Sequence, residues 1–98
     1  MGYVQIIELQ TGRFDEVEAL HEAWLADTVG TRTTKSETIL ADRDQPGRYL
    51  VVVEFPDEAA AAQNDALAAT GRFAEQLRDL LDEPPTFRNL DLVRTDRT

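Results

Sequence analysis

The sequence predicts one α+β domain with the element order strand, helix, strand, strand, helix, strand. Apolar residues alternate or run continuously in four segments, as in strands, and they recur at helical spacing in two others. The chain has 98 residues, which is the size of a single domain with a single core. Its hydrophobic content of 42% is normal for a folded globular protein.

The first strand and the first helix are separated by a short break. Residues 3–9 are rich in β-branched and aliphatic side chains, which predicts a strand. Thr11 and Gly12 interrupt this pattern. Residues 13–27 carry apolar side chains at helical spacing and predict an amphipathic helix. We expect Gly30 to end that segment, because glycine tolerates a positive φ.

A hairpin is predicted in the middle of the chain. Residues 31–41 alternate but are mostly polar, which is typical of an edge strand. Pro46 and Gly47 suit the two central positions of a type II turn. Residues 48–55 then form the most continuous apolar run in the chain and predict a central strand.

The second helix is predicted between residues 58 and 81. Asp57 fits the N-cap position, and Glu58 lies where the helix dipole favours a negative charge. Thr70 and Gly71 are expected to kink or interrupt this helix.

The last strand is predicted over residues 87–94, after Pro84 and Pro85 force the backbone into an extended form, and residues 95–98 form a polar tail. Right-handed crossovers place both helices on one face of the sheet. The expected result is a ferredoxin-like βαββαβ domain spanning residues 1–98, with an antiparallel sheet in the order 4-1-3-2.

Both faces of the predicted sheet carry apolar side chains. Strand alternation places Tyr49, Val51 and Val53 on one face, and Leu50 and Val52 on the other. Two helices cover only one face, and monomers seldom leave a large apolar patch exposed. The sequence therefore predicts a homodimer through the sheet face. The alternative is a monomer covered by its short polar tail.

Composition limits which binding partners and which cellular location are expected for the protein. The chain has 19 acidic and 10 basic residues and a net charge of −9, so nucleic acid and membrane surfaces are not expected partners. Without cysteine there can be no disulfide or thiolate metal site, and no clustered ligand motif predicts another metal site. No apolar signal core precedes the first strand, which predicts a cytoplasmic protein. Abundant arginine, alanine and aspartate indicate a bacterial source.

The whole chain resembles the dimeric α+β barrel superfamily, the group that contains small antibiotic-biosynthesis monooxygenases. The likeness lies in the strand at residues 3–9, the helix at 14–25, the hairpin at 39–55, the passage Glu54-Phe55-Pro56-Asp57-Glu58-Ala59 and the segment Pro-Pro-Thr-Phe-Arg-Asn before the last strand. This resemblance implies a dimer whose two sheets form a barrel, with a ligand between sheet and helices. Members include cofactor-free oxygenases, haem-degrading enzymes, isomerases and stress proteins.

His21 is the only histidine and a candidate catalytic base. It lies near the sheet-facing stripe of the first helix, and imidazole exchanges protons near neutral pH. The alternative is a partly buried histidine whose partner is Glu18 or Glu22.

Asn64 is the second candidate catalytic residue, because it lies among small alanines that leave room for a ligand. Some quinone-forming oxygenases of the superfamily resemble this pattern, with an asparagine on this helix and a tryptophan one turn later. The later position is Ala68 in this chain. The alternative is a solvent-facing Asn64 beside Gln63 and Asp65.

Aromatic side chains are the candidates for ligand-binding walls: Trp24, Phe55, Phe73 and Tyr49. The alternative for Trp24 is a large core residue. No cofactor is predicted. The haem-degrading branch has an asparagine on its first strand and a histidine on its second helix, whereas this chain has Gln5 and His21.

These features predict a homodimer that binds a small aromatic or polyketide-like metabolite in a cavity between helices and sheet, as a cofactor-independent monooxygenase. In that hypothesis His21 deprotonates a phenolic substrate and Asn64 orients its oxygen. The alternative is a non-catalytic homodimer that binds a metabolite, like stress-type members of the superfamily.

Overall fold

Four strands form one antiparallel sheet, and three helices lie between them along the chain. The computed structural model describes all residues from 1 to 98. The elements are β1 (Tyr3–Gln10), α1 (Phe14–Asp27), β2 (Ser36–Ala41), β3 (Arg48–Phe55), α2 (Glu58–Asp65), α3 (Ala68–Leu80) and β4 (Thr86–Asp91).

The strand order across the sheet is β2-β3-β1-β4, which is the predicted order 4-1-3-2 read from the other edge. β1 pairs with β3 and β4, and β3 also pairs with β2, all antiparallel. The two most apolar strands are central, and the two polar strands are the edges. The predicted ferredoxin-like α+β fold is therefore confirmed.

The core lies between the sheet and the helices. One cluster of buried residues joins Val53 and Phe55 of β3 to two alanines of α2, and the other joins Leu9, Val17 and Leu77 of β1, α1 and α3. The opposite face of the sheet, called the open face below, has no helix over it. Its apolar side chains are those of Val4, Ile6, Leu40, Leu50, Val52 and Leu90.

The second predicted helix is two helices, and the predicted position of the interruption was wrong. The break lies at Leu67, whose ψ of 134° is extended, whereas Gly71 lies inside α3. The Leu67 carbonyl then accepts from the amides of Thr70 and Gly71 and starts the new helix. Nothing approaches within 4 Å of a Cβ built on Gly71, so this glycine forces no kink.

Two predicted strand boundaries also need correction. β2 begins at Ser36 rather than at residue 31, because the Thr33 amide donates to the Asn64 side chain instead of to a strand. β4 ends at Asp91 rather than at residue 94, because Asp91 pairs with Tyr3, the first residue of β1. No helix has both the length and the apolar character needed to cross a membrane.

The predicted turn and caps are present. Arg48 donates its amide to the Gln45 carbonyl at 3.1 Å, and Gly47 has a φ of 87°, as a type II turn requires at its third position. Gly30 has a φ of 81° just beyond α1. The Asp57 carboxylate accepts from the Ala60 amide at 2.8 Å and caps α2.

Candidate functional site

A cavity of about 460 Å³ lies between the helix-facing side of the sheet and the helices. This volume falls in the range of small-molecule sites. Most of its wall is apolar, with a few polar groups pointing inward. The lining residues are Gln5, Ile7, Leu9, Val17, His21, Trp24, Thr34, Glu37, Ile39, Val51, Val53, Phe55, Asn64, Asp65, Thr70, Gly71, Phe73, Ala74, Leu77, Phe87 and Asn89.

His21 lies in this wall, on the sheet-facing side of α1. Its ring stacks on Trp24 with centroids 5.9 Å apart and meets Phe73 edge-on at 6.3 Å. Its charged partner is Glu37 of β2, with 3.8 Å between His21 Nε2 and Glu37 Oε1. His21 is thus a partly buried histidine beside a carboxylate, as the alternative interpretation held, but that carboxylate is Glu37, since Glu18 and Glu22 are exposed on α1.

Trp24 is both a core residue and a cavity wall. It is 6% exposed, and its indole Nε1–H donates to Thr70 Oγ1 at 3.0 Å. Its partner Thr70 lies on α3, so this hydrogen bond joins α1 to α3 beside the cavity. The two sequence interpretations of Trp24 are therefore compatible.

Asn64 is buried, with 6% of its surface exposed, so the solvent-facing alternative was wrong. Its Oδ1 accepts from the Thr33 backbone amide at 3.4 Å. Because only the oxygen of a carboxamide can accept that bond, the side-chain orientation is fixed. The Asn64 NH₂ group makes no hydrogen bond within the protein and is available as a donor in the cavity.

Two of the three remaining aromatic candidates line the cavity, and one does not. Phe55 is 2% exposed at the cavity floor on β3, and Phe73 packs against Trp24 at 6.3 Å. Tyr49 is absent from the wall and stacks on Phe14 at 4.0 Å. That stack fills the space between β3 and the start of α1, so Tyr49 is not available to the cavity.

Sequence reasoning missed two acidic groups in the wall. Glu37 is held by Thr34, whose Oγ1 donates to Glu37 Oε2 at 3.2 Å. Its position follows from strand alternation, since Glu37 and Ile39 share the helix-facing side of β2 with partners Val53 and Val51. Asp65 follows Asn64 at the end of α2, and burial raises the pKa of its carboxyl above the usual value.

The polar groups of the wall suit an organic ligand. Donors and acceptors are few and stand apart among aromatic and aliphatic side chains, an arrangement that is common in pockets for small organic molecules. No group of three or more histidine, cysteine, aspartate or glutamate side chains is arranged to hold a metal ion. Gln5 Nε2 donates to Asn89 Oδ1 across β1 and β4 at 3.2 Å.

Comparison with known proteins adds solved structures of the same architecture. No family model matches the chain. An antibiotic biosynthesis monooxygenase is 21% identical with a TM-score of 0.75, over 96% of this chain and 100% of the other. SnoaB, a cofactor-independent oxygenase from Streptomyces nogalater, is 18% identical with a TM-score of 0.81, over 96% and 95%. Rv0793 from Mycobacterium tuberculosis is 14% identical with a TM-score of 0.81, over 99% and 100%.

Proposed function

This chain has the fold of the antibiotic biosynthesis monooxygenase-like proteins, and from that premise we propose that it is a cofactor-independent monooxygenase of a small aromatic or polyketide-like metabolite. The observation that supports the proposal is the cavity of about 460 Å³ whose wall contains a histidine, an asparagine and four other aromatic side chains. SnoaB, which shares the fold, is a cofactor-independent oxygenase.

In the proposed reaction, His21 takes a proton from a phenolic substrate whose oxygen accepts from the Asn64 NH₂ group. Trp24, Phe55 and Phe73 bind the aromatic rings. The resulting anion is electron-rich and reduces dioxygen directly. For a methylene group between aromatic rings, the balance is one methylene and one dioxygen to one carbonyl and one water, so the substrate supplies every electron.

We propose further that the active form is a homodimer joined through the open face. Leu40 and Leu90 are 46% and 43% exposed on that face, beside Val4, Ile6 and Val52. An apolar face at the centre of the sheet is costly to leave in water. A second copy related by two-fold symmetry covers it with an identical surface.

A non-catalytic metabolite-binding dimer is the second candidate function, and one observation favours it. The resembling quinone-forming oxygenases have a tryptophan one turn after the asparagine of this helix, whereas Ala68 lies there and is exposed. Trp24 supplies an indole to the cavity from α1 instead. In this alternative the cavity binds the ligand and no oxygen is consumed.

The test is a thermal-shift screen of phenols, quinones, flavin and haem, followed by oxygen uptake with every phenol that binds. A ligand at about 100 times its dissociation constant stabilises the folded state by about 2.7 kcal/mol. For a domain of this size the expected increase in Tm is roughly ten degrees or more.

The variants His21→Ala and Asn64→Ala separate the candidates, with Glu22→Ala as the exposed control on α1. Oxygenase activity predicts oxygen uptake that both cavity variants reduce at least about tenfold and the control leaves unchanged. Binding of a phenol without oxygen uptake supports the non-catalytic candidate. Absence of binding in every ligand class contradicts both.

A further inference from the structure

The charged groups of the cavity wall are of one sign. Glu37 of β2 and Asp65 of α2 both line the cavity, and the wall contains no lysine or arginine. Glu37 is also well buried, with 13% of its side chain exposed. A carboxylate accepts hydrogen bonds and repels other anions, and it does so more strongly away from water.

Two cationic side chains, Arg32 and Lys35, lie near this region but outside the cavity wall, and each contacts other groups. The Arg32 guanidinium carbon lies 6.0 Å from the Trp24 ring centre, but its Nη1 donates to the Leu25 carbonyl at 2.8 Å and to Thr28 Oγ1 at 3.3 Å. Lys35 is 58% exposed and lies 4.0 Å from Glu54. Neither is part of the cavity wall.

His21 does not reverse the sign either. A protonated His21 balances the charge of Glu37, which lies 3.8 Å away, and the ionised Asp65 then leaves one negative charge. A neutral His21 leaves two negative charges. An anionic ligand therefore meets a net negative wall in both protonation states of the histidine.

We infer that the cavity admits uncharged or cationic aromatic molecules and rejects aromatic carboxylates, and that Glu37 is the residue that imposes this selection. The inference rests on the aromatic binding proposed above, and it does not depend on oxygen chemistry. An incoming carboxylate would lose its hydration without gaining a cationic partner. Discrimination by an unfavourable like-charge contact is a common source of specificity.

Glu37 is assigned this role over Asp65 because it is more buried and more firmly held. Thr34 donates to one of its carboxylate oxygens, and His21 lies 3.8 Å from the other. Its backbone is fixed by pairing with Val53 in the centre of the sheet. Asp65 ends a helix, and the residue as a whole is exposed although its carboxyl is partly buried.

The experiment uses three naphthalene probes of one shape: naphthol, naphthylmethylamine and naphthoate, which are neutral, cationic and anionic at neutral pH. Trp24 is the only tryptophan, so the protein has a single indole N–H resonance, and that group lies beside the cavity. Its NMR shift during titration reports both the affinity and the location of binding. Naphthoate is expected to bind about tenfold or more weakly than naphthol.

Replacing Glu37 tests the assigned residue. Glu37→Gln keeps the acceptor for Thr34 and removes the charge, so we expect the naphthoate-to-naphthol ratio of dissociation constants to fall to about threefold or less. Glu22→Gln removes an exposed charge next to His21 and should leave the ratio unchanged. Asp65→Asn removes the other charge of the wall, on α2. We expect it to lower the naphthoate-to-naphthol ratio of dissociation constants by less than Glu37→Gln does.

The outcomes separate the two proposals. Equal binding of naphthoate and naphthol overturns the charge selection and leaves the proposed aromatic site intact. A preference that Glu37→Gln does not alter overturns the role of Glu37. Failure of all three probes to shift the Trp24 resonance overturns the aromatic site, and the charge selection with it.

Discussion

Asp65 lies at the end of α2 beside the cavity, where two features of its surroundings disfavour its negative charge. Burial raises the pKa of its carboxyl, so the charged form is destabilised in the folded protein. A negative charge at the last residue of a helix also opposes the helix dipole. A residue that costs stability in a ligand-sized cavity is typical of a functional position.

We expect Asp65→Asn to raise the Tm at about pH 7 and to leave it unchanged at about pH 3. A raised pKa in the folded state means that the folded protein binds this proton more tightly than the unfolded chain. The loss of stability caused by the Asp65 charge is therefore absent below the unfolded pKa of about 3.9. It grows as the pH rises above that value and is complete above the higher pKa of the folded protein.

Thermal unfolding followed over this pH range is the measurement. Asp27→Asn is the matched control, because Asp27 is also the last residue of its helix and is exposed outside the cavity. An equal increase in Tm for both variants would assign the effect to the helix dipole. A decrease for Asp65→Asn would contradict the prediction.

Residue spacing along the helices predicted that His21, Trp24 and Asn64 face the cavity, but it did not predict which residues they contact there. His21 and Trp24 follow from the apolar stripe of α1, and Asn64 follows from the small side chains around it. Glu37 is 16 positions from His21 in the sequence. Only the strand order and register bring them together, and sequence spacing on one helix cannot supply that information.

At the scale of the elements, the presence of the four strands was easier to predict than the position of the break between α2 and α3. Apolar side chains on both faces identify β1 and β3, which are the two central strands of the sheet. The break at Leu67 has no such signal, since the residue there is a leucine of ordinary helix propensity. The change in direction is a tertiary effect: α2 packs on β3 and α3 packs on α1.

Replacing glycine by alanine is expected to have opposite effects on stability at positions 47 and 71. Gly47→Ala should destabilise the fold by about 1–3 kcal/mol, because its φ is positive and a Cβ would lie 2.7 Å from Gln10 Nε2. Gly71→Ala should stabilise by about 0.5–1 kcal/mol, because it lies within α3 with open space around it.

Urea unfolding of both variants checks the two glycine predictions, and each variant is the control for the other. Destabilisation by Gly71→Ala would show that α3 needs a bend at this position. Unchanged stability of Gly47→Ala would show that the turn relaxes to another type.

At the scale of the whole molecule, the sheet has one covered face and one open face. Six apolar side chains on the open face have no helix above them, whereas Glu8 and Arg48 form an ion pair of 2.7 Å at one end. The Arg48 guanidinium holds the pKa of Glu8 below its usual range. The proposed two-fold contact therefore has an apolar centre and a charged end, as dimer interfaces commonly do.

Val52→Asp should convert the proposed dimer to a monomer, because it places a charge in the centre of the open face between Ile6 and Thr38. Analytical ultracentrifugation measures the mass, and circular dichroism checks that the variant is folded. Val29→Asp is the control, since Val29 is 72% exposed beyond the end of α1. A monomeric parent protein, or a dimeric Val52→Asp variant, would contradict the proposal.

The loop before β2 links several residues around the cavity through hydrogen bonds, so these residues depend on one another. The Thr33 amide and hydroxyl bind Asn64 and the Ala60 carbonyl, and Thr34 binds Glu37. Substitutions at residues that share partners are not additive, so a change at one of these positions alters which residues are tolerated at the others. As relatives of this chain diverged toward new ligands, we expect positions 33, 34, 37 and 64 to have changed as a set.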